Sequence, residues 1–281
     1  MKIALYVRYL EPSLRQQLMA LIDILHRNGV DTDEVSDLLP AGVHYDFLLS
    51  IGGDGTLLSS VHLIGNRDIP VLGINFGHLG FLTTAGRDDT DTLVSDILGG
   101  RYTLEPRTLL QITTHYHRSH SEPLSKISLI ALNEVCFHRT IDGPLLHTDL
   151  YVDNDFVATY AGDGLIVATP TGSTAYSLSC GGPILTPNSG CFVVTPIAAH
   201  NLTLRPIIVP DTARLRLVTH PSPQAINSVS PSFNLSADSQ QLHLPCGTET
   251  HLSRAPFTIR LVRLHRQTFF NAIHQKLGWN F

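Results

Sequence analysis

Several kinds of residue and segment are scarce in this chain of 281 residues, and each scarcity excludes a class of protein. Charged residues make up 15% and the net charge is −5 with histidine neutral, so no nucleic-acid-binding surface is expected. No run of about 18 apolar residues occurs, which argues against a membrane span. The cysteines lack both C-x-x-C spacing and the density of a disulfide scaffold. We therefore expect a folded cytoplasmic protein with neither nucleic-acid nor membrane partners.

Two common nucleotide-binding motifs are also absent. The chain contains neither the P-loop pattern G-x-x-x-x-G-K-[ST] nor the dinucleotide fingerprint G-x-G-x-x-G. Without a P-loop lysine, an anionic nucleotide would have to be bound by backbone N–H groups and by a cation. The sequence itself identifies no metal ligands; the group His115, His117 and His120 has neither a carboxylate nor a cysteine nearby and favours a solvated strand end.

The hydrophobic pattern predicts two domains. Residues 1–104 alternate apolar strands with amphipathic helices, which predicts an α/β domain with a doubly wound, Rossmann-like parallel sheet. Residues 105–266 contain short strands separated by turn residues, which predicts an antiparallel, sandwich-like or barrel-like all-β domain. One predicted strand in this half is Ile127–Phe137. Residues 267–281 return to helical spacing, and we expect this C-terminal helix to pack back on the first domain.

The most informative stretch is the glycine-rich turn Gly52–Thr56, which directly follows the apolar run Phe47–Ile51. A buried parallel strand that ends in such a turn carries ligands at its carboxyl end. Glycines allow phosphate oxygens to approach backbone N–H groups, so Gly52, Gly53, Gly55 and Thr56 are predicted to bind donor phosphates. Asp54 is the one group of the turn that can hold a metal ion or accept a proton. The alternative is a turn whose aspartate caps a helix.

A second stretch, Gly162–Ser179, again joins a glycine-framed aspartate to a strand that runs into a hydroxyl-rich turn. The hydroxyls of Thr171, Ser173 and Thr174, with free N–H groups before a short helix, can bind an adenine edge and ribose hydroxyls. The alternative is a Ser/Thr capping turn without a ligand.

Asn133 and Glu134 interrupt the apolar run Ile127–Phe137. A buried amide and carboxylate destabilise a strand unless they are paired. They indicate either an edge strand or hairpin rim, or a pair that binds a ribose diol, and the sequence does not decide between these two interpretations.

Together, these stretches resemble the NAD kinases, which phosphorylate the 2′-hydroxyl of the adenosine ribose of NAD to give NADP. The resemblance extends from about Tyr45 to Arg205 and is most specific around Thr169–Tyr176. It implies an α/β domain, a β domain, a nucleotide site between them, and a homo-oligomer, either a dimer or a tetramer. It also implies NAD and ATP (or another phosphoryl donor) as substrates and a divalent metal, Mg²⁺ or Mn²⁺.

The resemblance further implies roles for single residues. Asp54 would be the catalytic carboxylate beside the 2′-hydroxyl, and Asp163 would meet the nicotinamide end. The residues implied in NAD binding are Gly53, Asp54, Gly55, Phe81, Asn133, Glu134, Asp163, Thr171, Ser173, Thr174, Ala175, Tyr176, Ser179 and Asp238. The chain departs from the family at Ala161, where some members have an arginine, and at Cys180, where alanine is common.

These observations predict a phosphotransferase with an alcohol group as acceptor. The glycine turn alone is shared with diacylglycerol-type lipid kinases, which form the first alternative. A non-catalytic dinucleotide sensor that kept the binding residues is the second.

Overall fold

The computed structural model describes residues 1–8, 12–76, 80–85, 90–117, 123–222, 231–264 and 268–279. The strands, numbered along the chain, are β1 (Lys2–Val7), β2 (Asp31–Val35), β3 (Phe47–Ile51), β4 (Val71–Ile74), β5 (Thr83–Ala85), β6 (Tyr102–Tyr116), β7 (Ser125–Ala131), β8 (Glu134–Arg139), β9 (Leu146–Val152), β10 (Asp155–Gly162), β11 (Gly164–Ala168), β12 (Cys191–Ile197), β13 (Ile207–Pro210), β14 (Leu215–His220), β15 (Ser232–Ala237), β16 (Gln240–Pro245) and β17 (Glu249–Leu264). The α-helices are α1 (Pro12–Arg27), α2 (Asp54–Ile64), α3 (Thr90–Leu98), α4 (Tyr176–Ser179) and α5 (Phe269–Leu277).

Contacts divide the chain into two compact units. The first consists of Met1–Arg107 and Thr258–Phe281, and the second is Thr108–Phe257. The boundaries fall inside β6 and β17 rather than in loops, so each of these long strands belongs to both units.

The first unit is built on a parallel sheet. Strands β2, β1, β3 and β4 lie side by side in that order, and β5 and the end of β17 are both parallel to β4. Every residue of β3 is buried, as expected for a parallel strand covered on both faces. Leu21 and Leu25 of α1 and Leu93 and Ile97 of α3 pack in one core with the strands. The predicted α/β fold is confirmed.

The second unit contains antiparallel sheets. One has the strand order β13-β12-β11-β8-β15-β16; in the other, β9 pairs with β10 and β14, β14 with β17, and β6 with β7. Side chains of both sheets share one core, in which the Phe137 and Phe233 rings stack with centroids 6.0 Å apart. Asp153 and Asn154 adopt positive φ angles of 50° and 78° in the β9–β10 hairpin. The predicted all-β fold is confirmed.

The predicted single strand Ile127–Phe137 is wrong. Strand β7 ends at Ala131 and pairs with β6, whereas β8 begins at Glu134 and lies between β11 and β15 in the six-stranded sheet. The chain therefore changes sheets at Leu132 and Asn133. Because β8 is a central strand, the edge-strand explanation of Asn133 and Glu134 is also wrong.

The predicted C-terminal helix is α5, which is grouped with the first unit. It begins after Thr268, whose side chain accepts a hydrogen bond from the Asn271 N–H, and ends at Gly278, which has a left-handed conformation. Within the described part of the chain, no helix has the length and apolarity that crossing a membrane requires.

Candidate active site

The turn predicted at the end of β3 is present and starts α2. Gly52 has φ +144°, which side chains rarely adopt, and a Cβ there would overlap the Thr56 side chain. The Gly52 N–H donates to the Ile74 carbonyl at 2.8 Å. Gly53 precedes the helix, so Asp54 is its first residue. The turn therefore presents its one carboxylate at a helix N-terminus, where negative charge is favoured.

The Asp54 carboxylate is held by three consecutive backbone N–H groups. Its Oδ2 accepts from Phe81 at 2.8 Å, and its Oδ1 accepts from Leu82 at 3.2 Å and Thr83 at 3.3 Å. Gly80 packs so closely that a Cβ there would overlap the carboxylate. The carboxylate is thus fixed in direction while the residue remains partly exposed.

Sequence reasoning did not connect Gly80, Leu82 or Thr83 with Asp54. It selected Phe81 as a substrate contact, and in the structure the Phe81 N–H also donates to Asp54. The Thr83 hydroxyl accepts from the Gly80 N–H at 2.7 Å and tightens this segment. Because the partners lie 27 to 29 residues after Asp54, no local sequence pattern connects them.

The second unit contains a similar arrangement around Asp238. This residue has φ +48° in the β15–β16 turn. Its Oδ2 accepts from the Leu132 N–H at 2.6 Å, and its Oδ1 accepts from Asn133 at 2.9 Å and Glu134 at 3.1 Å. Burial raises the pKa of Asp238 to about 6, against the opposing effect of the three N–H groups. Asp238 therefore explains why the chain turns between β7 and β8.

The hydroxyl-rich stretch also holds the segment of Leu132 and Asn133, where the chain changes sheets. The Thr169 hydroxyl donates to the Leu132 carbonyl at 2.5 Å, and the Thr169 N–H donates to the Asn133 carbonyl at 2.8 Å. A Cβ at Gly172 would overlap the Asn133 backbone. The backbone N–H and carbonyl groups of Leu132 and Asn133 are thus all hydrogen-bonded.

The side chains of Asn133 and Glu134 are the unusual part of this cluster. Among the described residues, the buried Asn133 Oδ1 and Glu134 Oε2 have no hydrogen-bond partner. Burial, and then the Asp238 charge, raises the pKa of Glu134 to about 8. Buried polar atoms without partners destabilise a fold unless a ligand completes them. These two atoms favour the ribose-binding interpretation of the pair.

The stretch from Thr171 to Ser179 forms a short 3-10 helix, Gly172–Thr174, followed by α4. The Ser173 hydroxyl is fully buried, where it donates to the Pro170 carbonyl at 2.7 Å and accepts from the Leu185 N–H at 2.9 Å. The other predicted contacts range from buried Thr171 through half-buried Thr174 and Ala175 to exposed Tyr176 and Ser179. The Tyr176 ring stacks on His138, with centroids 5.7 Å apart.

Asp163 lies between β10 and β11, where both flanking glycines are required. A Cβ at Gly162 or Gly164 would overlap a neighbouring backbone carbonyl. The Asp163 carboxylate accepts from Arg139 Nε at 2.6 Å, and Arg139 also binds the carbonyls of residues 141 and 143. Arg139, which sequence reasoning missed, therefore orients Asp163.

The donor set for a metal is limited. Among the described residues, no three His, Cys, Asp or Glu side chains cluster in a way that could hold an ion. Magnesium in phosphoryl-transfer sites is commonly bound by one or two carboxylates together with substrate phosphates. The partly exposed Asp54 carboxylate fits such a role, with the nucleotide supplying the other ligands.

Solved structures with the same fold identify the class of protein. A yeast NADH kinase, solved in complex with NADH, matches all of this chain and 88% of its own length, with a TM-score of 0.87 and 25% identity. An NAD kinase from Archaeoglobus fulgidus, solved in complex with ATP, matches this chain over 100% of both lengths, with a TM-score of 0.76 and 23% identity. The fold is that of a dinucleotide kinase.

Family models and relatives make the assignment specific. Residues 8–102 match the ATP-NAD kinase N-terminal domain and residues 132–263 match the ATP-NAD kinase C-terminal domain. An NAD kinase of Porphyromonas gingivalis is 41% identical over 87% of this chain and 79% of its own length. An NAD kinase of Christiangramia forsetii is 33% identical over 99% of this chain and 98% of its own length. The chain belongs to the ATP-NAD kinase family.

Proposed function

We propose that this protein is an NAD kinase, which transfers a phosphoryl group from ATP to the 2′-hydroxyl of the adenosine ribose of NAD and releases NADP and ADP. The observation that carries the proposal is the pair of buried, unpartnered atoms Asn133 Oδ1 and Glu134 Oε2 among the described residues. A vicinal ribose diol supplies both donors and acceptors and would complete this pair.

The second unit supplies the dinucleotide contacts in this proposal. Asn133 and Glu134 bind ribose hydroxyls, while Thr174, Ala175, Tyr176 and Ser179 line the adenosine and nicotinamide contacts. Thr171 and Ser173 belong to the same stretch, and the buried Ser173 hydroxyl supports it from inside. Asp163, oriented by Arg139, meets the nicotinamide end. Asp238 contributes by holding the backbone that carries Asn133 and Glu134.

The first unit supplies the catalytic group. Asp54 orients the acceptor hydroxyl and takes its proton late, as the oxygen forms its bond to the γ-phosphorus and the bond from phosphorus to ADP breaks. The three N–H groups on Asp54 restrict its movement, so it is already aligned when the substrate arrives.

Donor phosphates are assigned to the start of α2. The first N–H groups of a helix have no intrahelical partners, and glycine lets phosphate approach them, which supports the N–H groups of Gly53 and Gly55 as donor contacts. The N–H groups of Gly52 and Thr56 are bonded to the Ile74 and Gly53 carbonyls at 2.8 and 2.9 Å, so Gly52 would contribute by its small size and Thr56 through its hydroxyl. A divalent metal, Mg²⁺ or Mn²⁺, would enter as the ATP complex, with the nucleotide phosphates as its main ligands, and would neutralise phosphate charge.

The test is a matrix assay of donors and acceptors. The purified protein is incubated with ATP or polyphosphate, with NAD, NADH or diacylglycerol, and with Mg²⁺ or Mn²⁺, and the products are separated by chromatography. We expect NADP from ATP and NAD with either metal. Phosphorylated diacylglycerol without NADP would replace the proposal with the lipid-kinase alternative, and NAD binding without any product would replace it with a dinucleotide sensor.

The proposal also includes a homo-oligomer, a dimer or a tetramer, in the cytoplasm. Light scattering after size-exclusion chromatography tests the oligomeric state, since a mass near 30.8 kDa at assay concentration would indicate a monomer.

A further inference from the structure

A buried group of three charged side chains lies in the first unit, outside the residues discussed so far. Arg107 is 2% exposed, and its Nη2 donates to Glu105 Oε2 at 2.7 Å. The same Glu105 oxygen accepts from Arg263 Nε at 2.9 Å. Two guanidinium groups thus share one carboxylate. Removing charges from water costs free energy, so buried charges are retained where they have a structural or functional role.

The charges of this group do not cancel. Burial, and then the nearby Arg263, lower the pKa of Arg107 to about 10 against the opposing effect of Glu105. Burial alone would raise the pKa of Glu105, yet the two arginines hold it below its ordinary value. With Glu105 ionised and both arginines protonated, the group carries a net positive charge.

This positive group is connected to Asp54 through a single peptide unit. Arg263 Nη2 donates to the Phe81 carbonyl oxygen at 3.2 Å. The N–H of the same peptide unit belongs to Leu82, and it donates to Asp54 Oδ1 at 3.2 Å. The peptide is therefore hydrogen-bonded to a cation at its oxygen and to a carboxylate at its N–H, an arrangement in which each bond polarises and strengthens the other.

We propose that Arg263, held by Glu105 and Arg107, is a positioning residue for catalysis, because it fixes the Phe81–Leu82 peptide that orients the Asp54 carboxylate. This inference rests on the proposed function of Asp54. Arg263 does not touch the reacting atoms in this proposal; it acts through the peptide. Loss of its guanidinium should therefore lower kcat while leaving KM for NAD and ATP nearly unchanged.

The same strand offers a matched control. Arg260, also on β17, pairs with Asp68 in a more exposed setting: its Nε lies 2.6 Å from Asp68 Oδ1, and its Nη2 donates to the Asp68 carbonyl at 2.7 Å. None of these contacts involves Phe81, Leu82 or Asp54. Arg260→Ala thus removes a paired arginine from the same strand without disturbing the peptide.

The experiment compares wild type, Arg263→Ala, Arg263→Lys and Arg260→Ala for kcat, both KM values and urea unfolding. We expect Arg263→Ala to lower kcat by about 10- to 100-fold with KM changed less than threefold. Guanidinium ion added at millimolar concentration should raise the kcat of Arg263→Ala several-fold. Arg260→Ala should keep the wild-type kcat.

Arg263→Lys keeps the charge but cannot bridge Glu105 and the Phe81 carbonyl as a guanidinium does, so we expect an intermediate kcat and a folded protein. It serves as the test if Arg263→Ala does not fold. A wild-type kcat in either variant, a loss confined to KM, or a loss without guanidinium rescue would overturn the inference. Absence of NADP formation by the wild type would instead overturn the proposed function.

Discussion

Asp54 in the first unit and Asp238 in the second are held by the same device. Each carboxylate accepts from three consecutive N–H groups, the first through Oδ2 and the next two through Oδ1. Their surroundings differ. Asp54 starts a helix after a glycine turn, whereas Asp238 sits in a hairpin turn where burial raises its pKa to about 6.

The difference indicates which partner is being fixed. At Asp54, the N–H groups orient a carboxylate that we assign to the chemistry. At Asp238, the carboxylate orients a backbone that carries two unpartnered polar atoms, Asn133 Oδ1 and Glu134 Oε2. One aspartate is thus held in place, and the other holds a binding segment in place. The comparison predicts that substitutions at Asp54 change rate and that substitutions at Asp238 change stability.

The largest expected effect is on rate. Asp54→Asn keeps the size of the side chain and one acceptor oxygen but removes the base, so kcat should fall by about 100- to 10,000-fold. NAD affinity, measured by calorimetry, should stay within about threefold of wild type, and urea unfolding should change by less than about 1 kcal/mol. Wild-type turnover in this variant would remove Asp54 from the catalytic role.

The second prediction concerns stability. Asp238→Ala leaves the N–H groups of Leu132, Asn133 and Glu134 without their acceptor and places alanine at φ +48°. We expect the free energy of unfolding to fall by about 2–4 kcal/mol, measured by urea denaturation. Asp238→Asn is the control, since asparagine tolerates this φ and keeps one acceptor, and it should lose less than half as much. Equal stability of wild type and Asp238→Ala would remove the distinction between the two aspartates.

The third prediction uses pH. Glu134 has its pKa raised to about 8 and Asp238 to about 6, both mainly by burial, from ordinary values of 4.5 and 3.8. Between the ordinary and the raised values, the native state binds protons that the unfolded state has released, so stability falls as pH rises through this window. Glu134→Gln removes the group with the larger pKa shift, and with it the larger part of this loss of stability. The variant should therefore gain about 2–4 kcal/mol on wild type between pH 5 and pH 8. Parallel curves of stability against pH for the two proteins, measured by urea denaturation, would contradict a buried Glu134 with a raised pKa.

How much of this was predictable depends on sequence separation. The turn at Gly52–Thr56 and its helix were predictable because glycine spacing and the buried strand before it are local signals. The contact between Asp54 and the segment from Phe81 to Thr83 was not, because backbone N–H groups carry no side-chain signature. The same holds for the break at Asn133: apolar residues continue on both sides of it, and its cause, Asp238, lies 104 to 106 residues away.

Arginines in strands were also passed over, for a related reason. Arg107 and Arg263 lie in β6 and β17, where an alternating pattern normally assigns charged side chains to solvent. Their burial depends on Glu105, which binds both. The strand pattern predicts which face a residue occupies, but it does not predict that two positive charges share one carboxylate beneath the surface.

The smallest expected effects come from adding one methyl group beside each aspartate cluster. A Cβ at Gly80 would overlap the Asp54 side chain, which can move only by weakening its bonds to the three N–H groups, whereas a Cβ at Gly172 would overlap the Asn133 backbone. Gly80→Ala should therefore lower kcat about tenfold, with a smaller loss of stability than Gly172→Ala. Gly172→Ala should lower the free energy of unfolding by about 1–3 kcal/mol and raise KM for NAD. Each variant is the control for the other, and if the two lost rate and stability in the same proportion, the two clusters would not differ in the way proposed here.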